Sequence, residues 1–277
     1  MAGFIELYRL GKTYSTPKGS QIVVENFNLN MEEGEVVSLI GHSGCGKSTV
    51  LGMVAGLVSI TEGSVVVARR EITGAGPDRG MVFQSPCLLP WLTAVENVLL
   101  GVQQAHRQAS YARQIAIAVN YLERVGLGDA IDQRAATLSQ GMQQRVGIAR
   151  AIALEPRMLL LDEPFGMLDS LTRAELQDVL LDILATRPMT TLMVTHDVDE
   201  ALYMSDRVVM MTNGPNAKVG DVLDVPFAKP RQREQVFGHR DYYPLRDRLL
   251  SFLESQDHRR RVPESVSPAE AELAPVS

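Results

Sequence analysis

Apolar positions along the chain follow two periods. Residues 4–9, 22–24 and 35–40 are short apolar or β-branched runs that read as strands, the last one entered from the Glu33-Gly34 turn. A helical stretch follows over 47–57, and strand character returns at 64–67 and 80–83. In the middle of the chain the period lengthens. Thr93-Ala-Val-Glu96 has capping-box spacing and opens a helix through Leu100, while Tyr111, Ile115, Val119, Leu122 and Val125 form a helical stripe. Another helix is expected from Leu138-Ser139 through Ala153. Strand patterns reappear at 158–162 and 191–195, separated by a helix carrying Leu176, Leu180, Ile183 and Leu184. Residues 206–230 read as closing strands and turns, and Tyr242 to Leu253 as an amphipathic helix. Strands alternating with helices predict an α/β domain with a parallel sheet, and the run of helices inside it predicts an inserted helical subdomain.

Composition narrows the picture. With 277 residues, 45% hydrophobic and 22% charged, the bulk of the chain can bury a sizeable core. A net charge of −6 gives no general nucleic-acid footprint, so no nucleic-acid partner is expected. No apolar run approaches the ~18 residues that a membrane-crossing helix needs. The opening MAGFIELYRL lacks the pattern of a secretory signal. Cys45 and Cys87 lack metal or redox spacing, which fits a reducing compartment. From Ser255 onward the composition is that of a disordered tail. Its Arg259-Arg-Arg261 could touch anionic lipid or simply be solvated.

The chemistry begins at Gly41-His42-Ser43-Gly44-Cys45-Gly46-Lys47-Ser48-Thr49, a GxxxxGK[ST] sequence placed after a strand and before a helix. Glycines let successive backbone N–H groups converge on phosphate oxygens, and the helix N-terminus adds its positive dipole end. Lys47 supplies an ammonium and Ser48 a hydroxyl for Mg²⁺. Cys45 lies near that helix start and Lys47, both of which favour a thiolate; as a small residue it also simply fills the loop. A second apolar strand ends in Asp162-Glu163. Asp162 there is a candidate to hold Mg²⁺ through water, and Glu163 to polarise an attacking water. By itself such a stretch reads equally well as a helix cap or a solvated turn.

Leu138-Ser139-Gln140-Gly141-Met142, followed by Gln143-Gln-Arg-Val-Gly-Ile-Ala-Arg150, lies between the two phosphate motifs. With that order of motifs the chain resembles the ATP-binding cassette subunits of ABC transporters over roughly residues 4 to 225. The resemblance implies a P-loop NTPase (RecA-like) core with an N-terminal antiparallel β subdomain and an inserted α-helical subdomain. On that basis the cassette spans 1–230 with the helical subdomain at about 87–155, a helical extension covers 231–254, and the tail covers 255–277. It also implies that ATP and Mg²⁺ are bound and that Ser139 and Gly141 contact ATP held by the P-loop of a second ATPase subunit, a copy or a related chain. Here Gln140 replaces the family's first glycine and Met142 its glutamine, so amide donation at Gly141 is kept and the side-chain contact at 142 is not. Four further residues match family positions. Tyr14 is the aromatic that stacks on adenine, Gln84 the glutamine that senses Mg²⁺ and ATP, Asp169 the aspartate at the dimer seam, and His196 the switch histidine near the γ-phosphate. Three of the four have a plain alternative, half-buried packing for Tyr14, a polar group at the surface for Gln84 and a helix cap for Asp169, and a helix cap is also the plain reading of Ser139.

The apolar, proline-constrained segment 84–92 with Trp91 matches the place where family members receive a helix of the transmembrane permease; the competing reading makes Trp91 an anchor in the protein's own core. The resemblance is strongest to importer ATPases of the nitrate, sulfonate and taurine group, and Thr212-Asn-Gly-Pro-Asn216 and Val225-Pro-Phe227 are similar to the nitrate and cyanate branch. It implies a peripheral subunit on the cytoplasmic face of the inner membrane, served indirectly by a periplasmic solute-binding protein. A non-transport ABC ATPase would predict a coiled-coil insertion or two cassettes in one chain, and a P-loop kinase has no use for residues 138–150.

Overall fold

The computed structural model describes residues 3–17 and 19–261. Two long strands, β1 (Ile5–Thr16) and β2 (Gly19–Met31), pair antiparallel, with Ile5 opposite Met31 and Tyr14 opposite Gln21. The wholly buried β3 (Val36–Ile40) leads through the glycine loop into α1 (Lys47–Ala55). Then β4 (Glu62–Val67) and β5 (Arg70–Glu71) return to the first hairpin, giving a four-stranded antiparallel sheet in the order β2-β1-β4-β5. After β6 (Arg79–Val82) come the helices α2 (Ala94–Ala105), α3 (Tyr111–Arg124) and α4 (Gln140–Ala153). β7 (Met158–Asp162), α5 (Ser170–Thr186), β8 (Thr190–Val194), α6 (Val198–Met204), β9 (Arg207–Met211) and β10 (Val219–Asp224) complete a second sheet, ordered β10-β9-β3-β8-β7-β6. Its strands run parallel except for β10, which pairs antiparallel with β9. Two helices close the described residues, α7 (Arg233–Phe237) and α8 (Tyr242–Arg261).

The elements form where local chemistry asks for them. Thr93 accepts from the Glu96 amide while the Glu96 carboxylate accepts from the Thr93 amide, so both halves of the expected capping box are made. Ser110, Ser139, Asp169 and Asp197 cap α3, α4, α5 and α6 by the same side-chain-to-amide device. Two apolar cores lie on either side of the parallel sheet. One joins alternate strand residues such as Leu159, Leu161 and Met193 to α2–α6 and to Leu249 of α8. The other joins Val37, Leu39 and Leu160 to α1 and the antiparallel sheet. Parallel strands covered on both faces bury every residue, as β3 and β8 do.

The structure departs from two expectations. Of the stripe expected along α3, Leu122 and Val125 lie in the core and Ile115 and Val119 pack against it, joined by buried Gln114, Ala118 and Tyr121; only Tyr111, at the start of the helix, is exposed. The final helix does not stop at Leu253. It continues to Arg261, so the tail boundary at Ser255 falls inside α8, and Gln256 is buried. Residues 262–277 lie outside the described residues, as do the side chains of Arg259 to Arg261. Among the described residues no helix is long and apolar enough to cross a membrane.

Candidate active site

Parallel strands deliver their C-terminal ends to one edge of the sheet, and the candidate residues stand there. The P-loop follows β3, Asp162 and Glu163 end β7, Gln84 follows β6, and His196 follows β8. Although β8 lies between β3 and β7, Ser48 at the start of α1 reaches across, its hydroxyl donating to Asp162 Oδ1 at 2.9 Å. Glu163 is met from two sides on the same oxygen. The Gln84 amide donates to Oε2 at 3.1 Å, and His196 Nδ1 lies 3.4 Å from it. Glu163 has φ of 45°, the left-handed region, where a non-glycine residue stores about 1–3 kcal/mol and where functional residues recur. Its amide is held by the Val194 carbonyl of β8 at 2.9 Å.

The loop at residues 41–49 is folded on Lys47, whose ammonium donates to the carbonyls of Gly41 (2.7 Å) and His42 (3.0 Å). Gly46 has φ of 101°, and a Cβ there would lie 3.0 Å from Val24 and 3.1 Å from Val23, so glycine is required for both conformation and space. Ser43 and Gly44 are exposed, Thr49 is half-buried, and Cys45 is only 2% exposed. Burial pushes the Cys45 thiol up and outweighs the attraction of Lys47, so the expectation of a thiolate there is overturned. The same desolvation raises Asp162; the Ser48 hydrogen bond opposes it.

Tyr14 stands on β1 with the Lys12 ammonium 4.8 Å from its ring centroid. Ser139, Gly141 and Asp169 come together elsewhere, lining one groove with Met142, Leu168 and Thr172. Asp169 accepts from the Leu171 and Thr172 amides, both at 3.1 Å, and its hydrogen bonds to Thr172 hold its carboxyl below the usual range. A Cβ on Gly141 would sit 3.0 Å from Thr172, so a larger residue in this first turn of α4 would press on α5. Trp91 is 67% exposed, which excludes the core-anchor reading.

Sequence reasoning missed the residues that hold these pieces in register. Gln144, 2% exposed, donates to the Phe83 and Pro164 carbonyls at 3.3 and 2.8 Å, tying the backbone beside Gln84 to that beside Glu163. Arg150 donates to the carbonyls of Pro86 and Cys87, both at 3.0 Å, and so fixes the loop that carries Trp91. Arg173 donates to the Leu168 carbonyl and to Asp197, joining the Asp169 turn to the residue after His196. In sequence, Gln144 and Arg150 look like a solvated helix face; the one local sign of packing is the small residues Gly147, Ala149 and Ala151 beside Arg150.

A glycine-rich phosphate loop after the central strand, with a carboxylate pair on a parallel strand beside it, defines the P-loop NTPase fold. The family model described as ABC transporter matches residues 24–166. The chain is 51% identical over 250 residues to the bicarbonate transport ATP-binding protein CmpD of Synechocystis sp., covering 90% of this chain and 89% of that one. It is 48% identical over 254 residues to the nitrate transport protein NasD of Klebsiella oxytoca, covering 91% and 97%. Among solved structures, the dimeric post-hydrolysis state of the ATP-binding cassette MJ0796 bound to ADP and Pi superposes with a TM-score of 0.73 at 32% identity, covering 81% of this chain and all of that one. The chain belongs to the ABC transporter family and is an ATPase of its ATP-binding cassette type.

Proposed function

We propose that this chain is the ATP-hydrolysing subunit of an importer for a small anion of the nitrate or bicarbonate kind, peripheral to the cytoplasmic face of the inner membrane. The observation that carries the reading of the site is the convergence of Ser48, Asp162, Gln84, Glu163 and His196 on one sheet edge beside the P-loop. The Ser48 hydroxyl and Asp162 carboxylate are hard oxygen donors 2.9 Å apart, the ligand type that Mg²⁺ takes, so the residues fit the ion. Ser48, Asp162 and Gln84 would hold it; when bound, it neutralises charge on the β- and γ-phosphates. The P-loop amides and Lys47 bind the phosphates, and Tyr14 stacks on the adenine. Glu163 takes the proton of the attacking water, and His196 orients that carboxylate. The groove of Ser139, Gly141 and Asp169 faces ATP bound to a second subunit, which closes a dimer over two nucleotides. Segment 84–92, with Trp91 exposed, is the seat of the permease helix, and a periplasmic binding protein delivers the solute to that permease.

The solute reading rests on the relatives, because no residue of an ATPase subunit touches it. CmpD supports bicarbonate and NasD supports nitrate, and cyanate and nitrite share their size and charge. The site reading is tested by Glu163→Gln. It is expected to keep MgATP binding, accumulate an ATP-bound dimer, and lose about 10²- to 10⁴-fold in turnover. Lys47→Ala is expected to weaken binding itself. Hydrolysis by Glu163→Gln near the wild-type rate would overturn the assignment.

A further inference from the structure

The P-loop is gripped from outside the cassette core. His42 Nε2 lies 2.8 Å from the backbone carbonyl of Leu253 in α8, and because a carbonyl only accepts, Nε2 carries the proton and donates. A carbonyl oxygen has two lone pairs, so this bond is compatible with an unbroken helix. The His42 carbonyl is at the same time bound by Lys47, so this residue is held on the backbone by the phosphate-binding lysine and on the side chain by the C-terminal helix. One turn further along α8, the buried Gln256 clasps Asn213: its side-chain oxygen accepts from the Asn213 amide at 3.4 Å and its backbone carbonyl from Asn213 Nδ2 at 2.7 Å. Asn213, Gly214 and Pro215 in turn wall a cavity against Ser43, Gly44 and Cys45 of the P-loop.

The rest of α8 is anchored to the switch end of the site. Tyr242 Oη and Arg246 Nε both donate to Asp199 Oδ1, at 2.6 and 2.7 Å, and Asp199 lies in the first turn of α6, just after His196. Phe252 is seated on β10 so closely that a Cβ on Gly220 would lie 2.5 Å from its ring, and Arg248 pairs with Asp221 at 2.7 Å. A single helix therefore contacts the P-loop at its C-terminal part and the helix behind His196 at its N-terminal part.

We propose that α8 is a brace across the nucleotide site and that His42 is a positioning residue, holding the P-loop in its phosphate-binding shape through the Leu253 carbonyl. This rests on the reading of residues 41–49 as the ATP site. One part-buried hydrogen bond of this kind, at about 1 kcal/mol, is a factor of about five in an equilibrium constant.

The test is equilibrium binding of the non-hydrolysed analogue AMP-PNP with Mg²⁺ to full-length wild type, His42→Leu, His42→Gln, Phe252→Ala and the His42→Leu/Phe252→Ala pair, with thermal melts alongside. His42→Leu is expected to weaken binding about fivefold with a melt close to wild type, and His42→Gln, whose terminal amide extends about as far, to restore it. Once Phe252→Ala has unseated α8, His42→Leu is expected to add little. The proposal is overturned if His42→Leu binds as wild type does, if His42→Gln is as weak as His42→Leu, or if the two losses simply add. Should Phe252→Ala fail to fold, the two His42 variants decide alone. Wild type that fails to bind the analogue would count against the reading of the ATP site itself.

Discussion

Glu200 is a carboxyl with nowhere to put its charge. It lies in the first turn of α6, is 6% exposed, and accepts from the Gln177 amide at 3.1 Å. Burial raises it from 4.5 to about 7; the Thr195 hydroxyl pulls it down, the neighbouring Asp197 charge pushes it up, and Gln177 and Arg173 lower it by less. The folded protein thus keeps this proton up to about pH 7, whereas the unfolded chain releases it near 4.5. Between those values the native state binds more protons than the unfolded one, so stability falls as pH rises through the window. Charging a group displaced this far costs about 3 kcal/mol once the pH is above both values.

Glu200→Gln keeps the shape, keeps an oxygen for Gln177 and removes the titration. Urea unfolding of wild type and variant at pH 5, 6, 7 and 8 is the assay. The stability of the variant relative to wild type is expected to grow by about 2–3 kcal/mol from pH 5 to pH 8, most of it below pH 7. Other titrating groups are common to both proteins and cancel in the difference. A gap that stays constant over this range would refute the reasoning, since it would mean that Glu200 is ionised in the folded protein throughout.

Two further outcomes follow from exposure. Trp91→Ala removes a largely exposed ring, so stability is expected to change by less than about 0.5 kcal/mol, while co-purification with the permease weakens; normal assembly would remove Trp91 from the docking surface. A maleimide time course is expected to label the exposed Cys87 first and the buried Cys45 slowly, so that Cys87→Ser abolishes the fast phase; fast labelling that survives in Cys87→Ser would overturn the account of Cys45.

The gathering of the candidate site residues was legible because each motif is local and the sheet brings the strand ends together. Asp162, Gln84 and His196 each end an apolar run, and parallel strands carry such ends to one edge whatever the length of chain between them. The cap at Thr93 was legible for a similar reason, since a capping box lies within four residues. Cys45 was misread because its local features, a helix start and a lysine, favour a thiolate, while the burial that overrides them comes from elsewhere in the fold.

What could not be read is what fixes the motifs relative to one another, and there the reason is the same throughout. Gln144 and Arg173 are polar residues whose partners are backbone carbonyls or side chains remote in sequence, so nothing in their neighbourhoods distinguishes them from a solvated face. The end of α8 is the clearest case. Ser255 to Arg261 offers no apolar stripe, yet Arg and Gln are good helix formers, and Gln256 meets Asn213 on a loop that the sequence marks only as a turn. Composition reports whether a segment can bury apolar area; it is silent on a helix held by two hydrogen bonds to a loop that walls a cavity with residues 43–45. Residues that do chemistry are therefore found by motif, and those that hold the chemistry in place by their bonds, which is why His42, visible from the start as one position in the P-loop, acquired a role of its own only through Leu253.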